Sequence, residues 1–454
     1  MGSWTPSSTS RSTGSMTPPK FESITPSAAR LTESLRDIGY DFPAAVADLV
    51  DNSVSAGADH VDIFIEFDGP DSYVLIADDG AGMSESQLTE ALRYGSRRDY
   101  AQGELGRYGL GLKTASLSQC RAVTVATRTS VNAPRLYIRT LDLDVVSESD
   151  QWVVLRPGRD GLPQRAVAYL TEATGTVVVW DKLDRVLPES RPEGGWARRR
   201  LDAMAKRTAA HLGMVFHRFL EGTGSGRRII ITVNGEKVEP WNPFAPHEPA
   251  RTDLPSQRFE VTIGKVSGTV QMNRYVLPAK ENFSSPEQFE RLSGPLKWNR
   301  QQGLYIYRAD RLVQWGGWNG IRGIDEHTKL ARASLDFDTD LDGAFNINVA
   351  KVRVTVPIQL RQMLERPINE LCSRADEAYR KTARGTGIGT VVPSLPRQTA
   401  WNGPESQEAA AMKDAGLALR AASMQAGEYA ALLRIVAVLE REAPAVAQVL
   451  GLNT

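Results

Sequence analysis

Three short segments in a fixed order constrain this chain more than any other feature: Ala47 to Ser53 (ADLVDNS), Asp78 to Met83 (DDGAGM) and Gly106 to Lys113 (GRYGLGLK). The first predicts a helix over about Phe42 to Ser55, with Asp41 as N-cap and Pro43 in the first turn, where its missing N–H costs nothing. Asp48, Asp51, Asn52 and Ser55 recur at helical spacing and share one polar face, while Val46, Leu49, Val50 and Val54 cover the apolar side. Taken alone, that polar face reads equally well as a solvated acidic stripe. With the two segments that follow, it supplies oxygen ligands for a cation.

Two strands, about Val61–Phe67 and Tyr73–Ala77, follow with a turn at Gly69-Pro70-Asp71, and the second runs directly into Asp78 and its glycines. A carboxylate at the end of a buried strand, beside residues without side chains, lets a flat ligand approach the backbone. An isolated DxGxG is more often a strand-ending turn. The third segment puts Gly106, Gly109 and Gly111 ahead of an apolar helix from roughly Leu110 to Ser118. Glycines there leave N–H groups pointing one way, the helix dipole favours an anion, and Lys113 lies one turn in. The segment lacks the GK[ST] ending of a P-loop and the short strand-turn-helix crossover of a dinucleotide fold. Together the three segments are the parts needed to hold a nucleoside triphosphate.

On these motifs the chain resembles the GHKL ATPases, the superfamily of gyrase B, MutL, the ninety-kilodalton heat-shock chaperones, sensor histidine kinases and the MORC proteins. The resemblance implies an α+β fold: a GHKL (Bergerat) ATP-binding sandwich, an α/β transducer domain and a C-terminal helical tail. It implies ATP and Mg2+ as ligands, with Asn52 on the metal and Asp48 orienting the attacking water. The family usually carries Glu at the latter position, so Asp48 is one methylene short, which can slow hydrolysis. By the same resemblance Asp78 binds the adenine amine, with Gly80, Gly82 and Met83 beside the base. Gly106, Gly109, Gly111, Leu112 and Lys113 form the lid and phosphate loop. Thr176, in the Gly175-Thr176 pair that heads a strand over Val177–Trp180, backs Asp78; alone, such a pair is ordinary strand entry. The wording Asp-Asn-Ser, Arg93-Tyr94-Gly95-Ser96 and GRYGLGLKTAS is most similar to MORC-type and MutL-type ATPases. No dimerisation helix with a phospho-accepting His precedes the first motif, which disfavours a sensor kinase.

The 454 residues, 41% of them hydrophobic, suffice for two or three domains. The expected organisation is a disordered segment over 1–24, an ATP-binding domain over 25–195, a transducer over 196–384, a linker over 385–404 and a helical tail over 405–454. A long helix at about Trp196–Leu220 carries Arg198, Arg199, Arg200, Lys206 and Arg207 opposite an apolar stripe of Leu201, Met204, Leu212, Val215, Phe216 and Phe219. The basic residues read as its solvated face rather than a nucleic-acid element. Strands are expected at Ile229–Val233 before an Asn234-Gly235 turn, and at Phe259–Ile263, Gly268–Val276, Gly303–Arg308 and Ala333–Phe337. Transducers place a basic residue on the γ-phosphate. The resemblance puts Lys351 there, ahead of a strand over Val352–Val356, with Arg353 as the alternative and a plain surface lysine as the bland reading. In the tail, Tyr429, Leu432, Leu433, Val436 and Leu439 form a helical stripe that packs on the same chain by default, or on a second subunit or an effector protein.

A formal net charge of zero argues against a DNA-coating protein without excluding a local basic groove. Two cysteines, Cys120 and Cys372, fit a reducing cytoplasm, and no apolar run of membrane-spanning length or signal peptide is expected. The resulting expectation is a slow ATPase that closes its lid and dimerises on ATP, an ATP-gated clamp. The MORC resemblance adds DNA as a candidate partner in silencing, repair or defence. A nucleotide-binding switch with negligible hydrolysis and a chaperone-like scaffold are the competing classes.

Overall fold

The computed structural model describes residues 24, 26–37, 39–95, 111–130, 135–172, 174–187, 194–224, 226–264, 266–345 and 354–385, with scattered helical positions from 423 to 448. In the first half the elements are α1 (Ala28–Arg36), α2 (Phe42–Ser55), β1 (His60–Glu66), β2 (Tyr73–Asp78), α3 (Glu85–Ala91), α4 (Gly111–Leu117), β3 (Ala122–Arg128), β4 (Tyr137–Asp142), α5 (Leu143–Ser149), α6 (Gln164–Glu172) and β5 (Gly175–Asp181). Then come α7 (Gly195–Val215), α8 (His217–Glu221), β6 (Ile230–Val233) and β7 (Glu236–Lys237).

The first sheet runs β4-β3-β5-β2-β1-β6-β7. Its strands are antiparallel except β1 and β6, which lie parallel. Strand alternation sorts the side chains between two cores. Val74 and Ile76 of β2 and Val178 and Trp180 of β5 join residues of α2, α4 and α7 on one face. Leu75, Ala77, Val177 and Val179 meet Ala166 and Leu170 of α6 on the other. The layers are helix, sheet and helix. Asp41 caps α2 as the sequence predicts, accepting from the Ala44 N–H at 2.9 Å. The polar face of α2 is only partly solvated, however: Asp48 and Asp51 are buried, while Asn52 and Ser55 are exposed.

β6 corrects the sequence grouping. Ile230–Val233, expected among the strands of the second domain, pairs with β1 from His60↔Ile230 to Ile63↔Val233. Ile231 and Val233 point into the first core, so burial decides the sheet they join. α7 buries Leu201, Leu212 and Val215 in that core and leaves Arg198, Arg199, Arg200, Lys206 and Arg207 exposed, as expected of a solvated basic face.

The second sheet is built from β8 (Thr252–Ile263), β9 (Val266–Val276), β10 (Gly303–Arg308), β11 (Arg311–Trp315) and β12 (Ala331–Phe337), in the order β11-β10-β12-β9-β8. Short helices α9 (Pro286–Leu292) and α10 (Lys297–Gln301) lie between β9 and β10, and α11 (Asp342–Phe345) and α12 (Ile358–Gly385) follow β12. Leu360, Leu364, Ile368, Leu371 and Ala375 form one helical stripe on α12 and are buried in the second core. Residues 354–356, expected in a strand, belong to no strand; the Val354 N–H donates to Gln314 Oε1 at 3.2 Å and the Thr355 N–H to the Phe345 carbonyl at 3.0 Å.

Chain contacts divide the molecule into two units, Met1–Ile388 and Gly389–Thr454. In the second, Leu432 and Val436 are buried and Leu433 is exposed. Among the described residues no helix is long and apolar enough to cross a membrane.

Candidate nucleotide site

β2 lies between β1 and β5, so its last residue emerges mid-sheet, opposite Thr176. That residue is Asp78. Ser53 Oγ of α2 donates to its Oδ2 at 2.9 Å, and the Gly80 N–H donates to its Oδ1 at 3.0 Å. Burial pushes the Asp78 carboxyl up, and the hydrogen bonds from Ser53, Gly80 and the Thr176 backbone pull it back. Beneath it, Thr127 Oγ1 lies 3.0 Å from Thr176 Oγ1 and accepts from the Met83 N–H at 2.9 Å.

The glycines here are required by contact. Gly175 has φ +138, and a Cβ there would collide with the Asp78 carbonyl oxygen; Gly82, at φ +65, would collide with that of Arg128. A Cβ on Gly80 would lie 3.0 Å from the Ala56 carbonyl oxygen, which already accepts from the Ala81 N–H at 2.9 Å. The glycine segment thus closes on the C-terminal end of α2, leaving little side-chain bulk beside Asp78.

α2 supplies the other end of the site. The Tyr40 hydroxyl donates to Asp48 Oδ2 at 2.7 Å, and burial together with the Asp48 charge drives the phenol pKa well up, so the hydroxyl stays a donor. α4 begins directly against this carboxylate: a Cβ on Gly111 would lie 2.8 Å from Asp48 Oδ2. Asn52, one turn on, is exposed, and its side chain makes no hydrogen bond among the described residues. No group of three or more His, Cys, Asp or Glu that could hold a metal occurs among the described residues. Asn52 offers one side-chain oxygen, a donor suited to a hard cation that takes one or two protein oxygens and draws the rest from phosphates and water, as Mg2+ does.

Lys113 is engaged within the fold. It is buried, its ammonium donates to the Ala91 carbonyl at the C-terminus of α3 at 2.8 Å, and it lies 5.9 Å from the Tyr94 ring centre. Burial lowers its pKa to about 8. Leu112 packs, half-buried, on the first core. Gly106, Gly109, Lys351 and Arg353 lie outside the described residues, as does most of the lid, 96–110.

Four residues that bear on the site escaped the sequence reading: Tyr40 against Asp48, Ser53 against Asp78, Thr127 under Thr176, and Arg311 of β11. Arg311 Nε lies 3.0 Å from both oxygens of Asp51. Only Ser53 carried a signal, its place directly after Asn52 in the first segment.

Residues 40–173 match a family profile described as histidine kinase-, DNA gyrase B-, and HSP90-like ATPase. The matched stretch resembles a GHKL-type ATPase domain, and it holds Asp48, Asn52, Asp78 and the start of α4. The chain is also similar to Protein MICRORCHIDIA 5 of Arabidopsis thaliana, 41% identical over 80 residues. That alignment covers 16% of this chain and 11% of the length of the plant protein.

Proposed function

We propose that the chain is a MORC-like ATPase that binds Mg-ATP, hydrolyses it slowly and works as an ATP-gated clamp. The observation that carries this reading is the convergence of α2, the β2 end and the glycine start of α4 within the ATPase-matched segment. Asp78 accepts from the adenine amine, with Gly80, Gly82 and Met83 flanking the base and Thr176 behind it. Asp48 orients the attacking water, held in place by Tyr40. Asn52 ligates the cation, which neutralises charge on the transferring phosphate when bound. Gly106, Gly109, Gly111, Leu112 and Lys113 form the phosphate loop, Lys113 reaching phosphate only after leaving Ala91. Lys351 reports the γ-phosphate to a transducer built on the second sheet. Catalysis is phosphoryl transfer to water by positioning and charge neutralisation.

Lid closure then joins two copies of the chain, with DNA as the proposed track and the C-terminal unit as the docking point for an effector. Cys120 and Cys372 are free and buried, which fits the reducing cytoplasm in which such a clamp would act. A nucleotide switch with negligible hydrolysis is the second reading. Its support is the burial of Asp48, 2% exposed and bonded to Tyr40, on an arm shorter than the usual Glu.

Calorimetry, steady-state turnover and light scattering with a non-hydrolysable ATP analogue, with and without DNA, test the proposal. The expected result is mass doubling with the analogue, and loss of turnover by about 10²-fold or more in Asp48→Ala with ATP affinity retained. A particle that stays monomeric under saturating analogue removes the clamp. A parent that binds ATP without turnover above background leaves the switch.

A further inference from the structure

The hairpin between β10 and β11 turns through Ala309 and Asp310, both at positive φ, so that Arg308 and Arg311 face each other across the strands. These adjacent side chains leave in different directions. Arg308 grips Asp342 of α11 through two hydrogen bonds, Nε to Oδ1 at 2.6 Å and Nη2 to Oδ2 at 2.7 Å. Arg311 grips Asp51 of α2, with the arginine side chain 3% and the aspartate 0% exposed. At the turn, Asp310 accepts from Arg218 Nη1 of α8 at 3.1 Å, and Arg218 also pairs with Asp336 of β12. One tight turn thus ties the second sheet, α8 and α11 to the helix that carries Asp48 and Asn52.

Buried ion pairs are poor devices for stability, since apolar residues of like volume serve as well or better. What this pair adds is geometry: the Arg311 Nε–H shared between both carboxylate oxygens fixes the place of Asp51. Asp51 lies between Asp48 and Asn52 on a rigid helix, so a shift at Arg311 passes to both. Misplacement of a reacting group by about 1 Å costs about 10²-fold in rate. Asp78 shares one contact with α2, the Ser53 hydroxyl at 2.9 Å, but its backbone is set by the β1 and β5 ladders and its other oxygen accepts from the Gly80 N–H, so the same shift reaches it less.

We propose that Arg311 is a positioning residue for hydrolysis: through Asp51 it sets the place of Asp48 and Asn52, so that the orientation of the second sheet controls turnover far more than adenine binding. This rests on the reading of Asp48, Asn52 and Asp78 as a nucleotide site. The test compares the parent, Arg311→Lys, the apolar pair Asp51→Leu with Arg311→Met, and Asp78→Asn, following thermal unfolding, ATP affinity by calorimetry and kcat.

In Arg311→Lys, kcat should fall about tenfold or more with ATP affinity within about threefold of the parent. In the apolar pair, the unfolding temperature should return to near the parental value while kcat stays low. That split is the result a merely structural pair would not give. Recovery of stability and turnover together in the apolar pair, or parental kcat in Arg311→Lys, overturns the inference and leaves the nucleotide site standing. Absent turnover in the parent removes the ATPase reading and the inference with it, while unchanged affinity in Asp78→Asn overturns the nucleotide-site reading and the inference together.

Discussion

At the end of the site proposed to take the base, Asp78 ends a central strand, accepts from Ser53 on one oxygen and from Gly80 on the other, and lies beside Gly82 and Gly175, where an added Cβ would meet backbone atoms. At the phosphate end, Asp48 and Lys113 are helix side chains already engaged within the fold, one by the Tyr40 hydroxyl and the other by the Ala91 carbonyl. Backbone set by a sheet ladder cannot move without losing its register, whereas a side chain can exchange one partner for another. On the proposed function, the base end is thus preformed and the phosphate end rearranges to receive its ligand. Affinity is then set mainly at the first and turnover at the second.

The same substitution at the two ends should break this contrast if it is wrong. Gly175→Ala drives a methyl into the Asp78 carbonyl at a φ that L residues rarely adopt, so the expected cost is more than about 4 kcal/mol. Thermal unfolding should show a much weakened fold and calorimetry no ATP binding. Gly111→Ala meets a movable carboxylate instead, at 2.8 Å. It should spare the fold and the affinity and lower turnover. Equal damage from both would mean that the phosphate end is as rigid as the base end.

Next in size is Asp78→Asn, which turns an acceptor toward adenine into an amide. A charged hydrogen bond contributes about 1.5–3 kcal/mol, so ATP affinity should fall by roughly 10- to 100-fold. GTP affinity, measured in the same titration series, should change far less. Tyr40→Phe is smaller again. It removes the donor on Asp48 Oδ2 while keeping the ring, so kcat should fall several-fold with affinity unchanged. A Tyr40→Phe variant with weakened binding and parental kcat would place Asp48 in ligand binding rather than in hydrolysis.

The same division explains what could be read from the sequence. α2 and its Asp41 cap, β2 running into Asp78 and the glycine start of α4 are local patterns of capping, alternation and spacing, and they were legible. The contacts that hold the site are long-range: Ser53 to Asp78 spans 25 positions and Arg311 to Asp51 spans 260. Helical periodicity put Asp48, Asp51 and Asn52 on one face but could not say that Arg311 would cover it. β6 was misplaced for a related reason. Its alternation marks a strand, and only packing against β1 chooses the sheet. Lys113 was legible as a cation one turn into α4, yet its partner depends on where α3 ends.

The last effect separates regions of the molecule by pH. His211 of α7 is half-buried, edge-on to the Trp315 ring at 5.8 Å. Burial and the Arg311 charge hold its pKa down to about 4, against weaker opposing pulls from Asp41 and Asp51. An imidazole lowered from 6.5 gives stability that is fully present above pH 6.5 and is lost as pH falls toward about 4, because the unfolded chain binds the proton first. Asp78 runs the other way. Its raised carboxyl favours the folded state on acidification, and that contribution fades as pH rises through its folded value. Acid should therefore loosen the contact of α7 with β11 while tightening the unliganded base end. Allowing for partial exposure, His211→Gln should remove about 1–2 kcal/mol of the stability lost between pH 6.5 and 4. Denaturant unfolding across that range measures it. A slope that persists in His211→Gln assigns the acid sensitivity to the carboxylates, and these regions would then not be separable by pH.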